Sequence, residues 1–181
     1  MKRRRGFSLV ENMLATGLFS LVTLLAVQLF TPCLKIFKQD QGQARLDETA
    51  LVTSRTIERE VKPSTINSLT TSSQAFSFLE GESFDPTSGN PIWQNFVVYY
   101  FQNGKLWRKV WTPVGFPTMQ SARLSAAQLA VAVATVTGTE HVVTQSVQSV
   151  TIASSQTLQV AATLAEPGFT SSFAIQVRPR R

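Results

Sequence analysis

Residues whose types and spacing could do chemistry are concentrated at the start of the chain. Lys2-Arg3-Arg4-Arg5 is followed by Gly6, Phe7, Ser8, Leu9, Val10 and Glu11, and then by an apolar run to Phe30. A carboxylate at the edge of a membrane-length hydrophobic segment costs several kcal/mol unless a partner answers it. Glu11 therefore predicts a partner. The other candidates are weaker. His141 is the only histidine, and Glu140 beside it makes neither a metal site nor a base and nucleophile pair. No CxxC, GxGxxG, P-loop or HExxH spacing occurs. Trp93, Trp107 and Trp111 with Tyr99 and Tyr100 offer a stacking platform for sugar or single-stranded DNA, but core packing and cross-strand pairing explain them more simply. Cys33 is the lone cysteine, which excludes an internal disulfide framework; it reads as a packed thiol just past the apolar run. No catalytic residue, metal site or cofactor is implied.

The charge is unevenly placed. Of a formal net charge of +6 over 181 residues, the four basic residues at positions 2–5 and Arg178, Arg180 and Arg181 account for more than the whole, so the body is nearly neutral. The basic head reads as a positive-inside signal, and the arginine tail as a solvated terminus. A nucleic-acid partner is possible through that tail but otherwise unsupported.

These residues need elements to position them. The apolar run from Met13 to Phe30 is longer than the hydrophobic region of a signal peptide, and no small-x-small cleavage site follows it. It predicts a retained membrane helix, since about 20 apolar residues span a bilayer. Thr16, Ser20 and Thr23 can bond backbone within such a helix. Pro32 predicts a kink or interruption. Helical character then resumes to about Val61, with Leu34, Phe37, Ala44, Leu51, Ile57 and Val61 as its apolar face. Pro63 ends it.

The remainder predicts strands. Ser64–Ser73 reads as a loop, Ala75–Glu80 as a short strand and Gly81–Pro91 as a second loop. Phe96–Gln102 and Lys105–Trp111 flank Asn103-Gly104, the signature of a hairpin with a type I′ turn. Gly115–Gln120 reads as a loop, and Ala122–Val136 as a short helix near Leu124–Leu129 followed by a strand. Val142-Val143, Val147–Ile152, Leu158–Leu164 and Phe173–Val177 are further strands. The expected fold class is α+β, a long N-terminal helix packed on an antiparallel sheet.

The segment Gly6-Phe7-Ser8-Leu9-Val10-Glu11, with its basic leader and apolar helix, resembles the class III leader of type IV pilins and type II secretion pseudopilins. The body is more loosely similar to W-type minor pilins and J-type minor pseudopilins, through Arg55–Lys62, the Tyr99–Arg108 hairpin and the closing strands to Arg178. The resemblance implies a type IV pilin-like fold and four segments: leader 1–6, transmembrane and assembly helix 7–31, amphipathic helix 32–62 and β-sheet head 63–181. It implies that a membrane prepilin peptidase cuts between Gly6 and Phe7, that Phe7 is N-methylated, and that Glu11 meets a neighbour's new N-terminus during assembly. The implied partners are that peptidase, other pilins or pseudopilins, and the inner membrane. The implied location is single-pass with the N-terminus in the cytoplasm and the head outside, then a filament. Two departures from major pilins, Gln28 where many have proline and no cysteine pair for a C-terminal loop, favour a minor, non-enzymatic subunit. A type II secretion pseudopilus and a DNA-uptake pseudopilus remain alternatives, as does a membrane-anchored carbohydrate- or DNA-binding module.

Overall fold

The computed structural model describes residues 8–84, 87, 91–113 and 123–180. The chain divides into two units, 1–42 and 43–181. A single helix, α1 (Leu9–Val61), begins in the first and ends in the second.

Within the first unit, α1 is apolar and open. Its most hydrophobic window has a mean hydropathy of 2.0 and no buried residue. Thr16, Ser20, Thr23 and Thr31 each donate their hydroxyl to the carbonyl four residues back, at 2.7 to 2.8 Å. These hydroxyls are thereby satisfied without water, which suits a hydrocarbon environment. The predicted interruption at Pro32 is absent, because α1 continues through it. Proline in a helix interior costs about 3 kcal/mol, but the intact bonds on both sides of Pro32 carry the helix across it.

In the second unit, α1 supplies one wall of the main core. Leu46, Ala50, Thr53, Ile57 and Val61 are its buried residues, at spacings of 4, 3, 4 and 4 that keep one face of a 3.6-residue helix. Of the apolar face expected from sequence, only Ile57 and Val61 are buried. Leu34, Phe37 and Leu51 are exposed and Ala44 is too. Leu51 stands six residues before Ile57, about a third of a turn off its face, so the true stripe passes through Ala50.

Two antiparallel sheets take up the rest. The first has five strands in sequential order: β1 (Thr70–Thr71), β2 (Ala75–Phe84), β3 (Pro91–Gln102), β4 (Lys105–Trp111) and β5 (His141–Thr144). The second has three: β6 (Val147–Ser154), β7 (Leu158–Glu166) and β8 (Phe169–Val177). The single sheet expected from sequence is thus divided. Alternation explains which side of each strand is buried: Leu158, Val160, Ala162 and Leu164 of β7, and Phe173, Ile175 and Val177 of β8, join α1, Phe76, Phe78, Val97, Tyr99 and Leu106 in one cluster.

The β3–β4 hairpin forms as expected, with Asn103 and Gly104 at φ 53° and 69°, as a type I′ turn requires. Tyr99 pairs with Arg108 and Tyr100 with Trp107. Other local expectations need correction. Gly81–Phe84 and Pro91 are strand, extending β2 and β3 into the expected loop; long cross-strand pairing overrides the weak strand propensity of that glycine. Ser64–Ser73 contains a short 3-10 helix (Ile66–Ser68) and β1. The expected strand after Leu129 is absent, because α2 runs from Ala126 to Ala134. Alanine propensity and a full capping box, in which Ser125 and Gln128 bond each other's backbone amides at 3.2 and 2.9 Å, outweigh the two valines. The expected loop Gly115–Gln120 and Ala122 lie outside the described residues.

α2 covers the face of the five-stranded sheet opposite α1. There Leu124, Leu129 and Ala132 pack on Ala75, Leu79, Phe96, Val98 and Tyr100, with Trp107 and Trp111 half-buried at the margin. The chain's end is fastened to the residues after α1: Ile66 N–H donates to Arg180 O and Arg180 N–H to Ser64 O, both at 2.9 Å.

Candidate functional site

Of the three residues singled out at the N-terminus, Gly6 and Phe7 lie outside the described residues, and Glu11 stands in the first turn of α1. Its carboxylate accepts from the backbone N–H of Ser8 at 2.8 Å, while the backbone N–H of Glu11 donates to Ser8 Oγ at 3.2 Å. This is a reciprocal capping box, S-x-x-E. Two amide donors at the helix start are satisfied, and a negative charge sits where the helix dipole favours it. The partner that Glu11 demands is therefore supplied in part within its own chain. The motif Ser8-Leu9-Val10-Glu11 was readable from the sequence. Only one carboxylate oxygen is engaged, and an ionised carboxylate accepts several further bonds, so a cation brought alongside finds an acceptor.

The head holds two polar arrangements that sequence reasoning missed. Glu60, late in α1, accepts from Tyr99 Oη and from Arg108 Nε, each at 2.8 Å and both on Oε2. The ion pair is mostly shielded, with 13% and 21% of the two side chains exposed. Burial, and then the Glu60 charge, push the Tyr99 phenol far above its ordinary value. The cross-strand pairing of Tyr99 with Arg108 was implicit in the hairpin register. That Glu60 would meet both required the tertiary fold.

Lys109 is the second arrangement. It is 1% exposed, and its ammonium donates to Val133 O at 3.1 Å and Thr135 O at 2.6 Å, the carbonyl end of α2, where a cation is favoured by the dipole. It also lies 5.0 Å from the Tyr100 ring centroid, a cation–π distance. Burial pulls its pKa down, and the nearby Glu140 charge pulls the other way. Glu140 itself accepts from the Thr137 backbone and hydroxyl on Oε1. Hydrogen bonds from the Thr137 amide foremost, then the Glu140 amide, the Thr137 hydroxyl and the Gly138 amide, lower its carboxyl to about 2.

The aromatic candidates divide. Tyr99 and Tyr100 are buried, Tyr100 and Trp107 are stacked at 6.3 Å with rings 11° from parallel, and Trp111 packs beside the same cluster. The Trp93 side chain lies outside the described set. His141 is exposed at the start of β5, and Cys33 is exposed on α1. Among the described residues, no group of three or more metal-ligating side chains is present.

Comparison with known proteins gives one match. Residues 1–27 match the family described as the prokaryotic N-terminal methylation motif. No curated protein and no solved structure matches the chain. The matched segment covers the basic leader, Gly6, Phe7, the Ser8–Glu11 capping box and most of the apolar run, so the motif and the geometry describe the same feature. Residues 1–27 thus carry a prokaryotic N-terminal methylation motif, and the apolar helix behind it packs its second half on antiparallel sheets.

Proposed function

We propose that the chain is a minor, structural subunit of a type IV pilus-like filament, cut between Gly6 and Phe7, N-methylated on Phe7 and guided into place by Glu11. The observation that carries this reading is the match of residues 1–27 to the methylation motif in front of an apolar helix whose hydrophobic window is open along its length. An open apolar helix is stable in a bilayer, or among like helices in a filament. The basic leader favours an N-terminus in the cytoplasm and a head outside. Loss of positions 1–6 removes four positive charges and with them the cytosolic anchor, which eases passage from bilayer to filament.

Glu11 is suited to the assembly step. Its bonds to Ser8 hold it in the first turn, and the free α-amine that cleavage creates on a neighbour's Phe7 is a cation able to offset a carboxylate in apolar surroundings. A minor role, near the filament tip or in its priming complex, is supported by the single cysteine and the looser likeness to W-type and J-type subunits. A type II secretion or DNA-uptake filament would use the same machinery, and neighbouring genes separate the three.

The test is direct. Gly6→Val leaves uncut precursor in the membrane, whereas the native chain gives a mature mass beginning at methylated Phe7. Filament-associated protein that retains Met1–Gly6 would falsify the proposal. Glu11→Val is cut but enters filaments poorly, and undiminished incorporation would remove the role assigned to Glu11.

A further inference from the structure

We propose that the groove between the C-terminal end of α2 and the β3–β4 hairpin binds a neutral saccharide. The cavity has a volume of about 550 Å³, in the range of small-molecule sites. Its floor is aromatic: the Tyr100 and Trp107 rings are stacked, and the Trp107 indole N–H donates to Gln102 O at 3.3 Å, which fixes the ring in place. Its far wall is the end of α2, with Val133, Ala134 and Val136. Val136 is 87% exposed, an apolar side chain at the rim with no packing role. The wall is held from beneath by the Lys109 ammonium on Val133 O and Thr135 O. The site is therefore preorganised and needs little ordering on binding.

Its polar groups select the ligand. Gln102 and Glu140 line the cavity. The hydrogen bonds from Thr137 fall on one Glu140 oxygen, and the backbone amides of Glu140 and Gly138 also act on the carboxylate; its charge still favours ligand groups that donate. A carboxylate and an amide beside an aromatic face suit a pyranose ring, whose hydroxyls donate and accept while its C–H face lies on the indole. Other ligands fit less well. Lys109, beneath the floor, is committed to two carbonyls, and the Glu140 carboxylate at the cavity disfavours a phosphate by like-charge repulsion. A ligand cation would share the Tyr100 ring with the Lys109 charge 5.0 Å away, a like-charge contact. A purely apolar partner would desolvate Glu140 without compensation.

The test uses the full chain in a zwitterionic, non-glycosidic detergent, so that the detergent supplies no sugar. Tri-N-acetylchitotriose and maltotriose are titrated separately, with tryptophan emission and calorimetry as readouts. A saturable, millimolar response to at least one is expected. Gln102→Ala and Val136→Lys alter side chains outside the core; each weakens binding by roughly fivefold or more, the loss of about one hydrogen bond or one contact, with an unchanged melting temperature. Trp107→Phe retains packing and lowers the emission change. Absence of saturation with both sugars overturns the proposal, as does saturation insensitive to both rim variants.

Discussion

Glu60 joins α1 electrostatically to β3 and β4, since one oxygen of its carboxylate accepts from both Tyr99 and Arg108. Glu60→Ala removes the ion pair with Arg108 and the hydrogen bond from the Tyr99 hydroxyl in a shielded place, so chemical denaturation should show a loss of about 2–3 kcal/mol. Tyr99→Phe removes one of the two bonds and costs about 1 kcal/mol. That variant also changes the alkaline limb. The folded phenol keeps its proton above the ordinary value of 10.0, while the unfolded one ionises, so stability falls as pH rises past 10 in the native chain. In Tyr99→Phe that fall is reduced, although Lys109, whose folded pKa is lowered, acts in the opposite direction as pH rises towards 10.5. Glu140 works at the acid end. With a folded pKa of about 2 against 4.5, its contribution is complete above 4.5 and is lost as pH falls towards 2. The difference in denaturant midpoint between pH 7 and pH 3 should therefore be smaller in Glu140→Gln than in the native chain. At this scale the sequence was informative only where partners were close along the chain. Ser8 and Glu11 are three apart and could be read; Glu60 and Arg108, or Lys109 and Thr135, are joined only by folding.

Among the elements, α2 shows most clearly what local reading resolves and where it stops. Its start was set locally, by the capping box of Ser125 and Gln128. Its end was not, because the carbonyls that a valine-rich terminus leaves open are closed by Lys109 from β4. Lys109→Met retains much of the buried stem but removes the cap. Hydrogen exchange should then accelerate in residues 131–134 of α2 more than in β3 or β4, and equal acceleration throughout the sheet would assign Lys109 a general packing role instead. The hairpin is the opposite case. Both turn residues have positive φ, and Asn103-Gly104 announced it without tertiary help. Gly104→Ala meets only an ordinary van der Waals contact, its Cβ 3.7 Å from Val147 O, so its expected cost of about 1–2 kcal/mol is backbone strain. For α1, periodicity gave the helix but misplaced its buried face, since Leu51 and Ala50 compete for the stripe and only packing against the sheets decides between them.

The whole chain consists of a unit that ends at Gly42 and one that begins at Gln43, and the helix crosses that boundary. The sequence suggested a division at Pro32 for the helix and at Pro63 for the head, where proline interrupts pattern. Neither position is where the head's core begins, because α1 contributes Leu46, Ala50, Ile57 and Val61 to it. A polypeptide starting at Gln43 keeps these residues together with Glu60, and should be soluble and unfold cooperatively. One starting at Ser64 loses all four. At about 1.5–3 kcal/mol for each large apolar side chain removed from a core, and less for Ala50, the deficit is comparable with the whole stability of an ordinary domain, about 5–15 kcal/mol. It should therefore be unfolded or aggregated, with the inner faces of both sheets uncovered. Thermal unfolding followed by circular dichroism distinguishes the two, and a cooperative transition in the shorter polypeptide would show that α1 is an appendage of the head and not its central element.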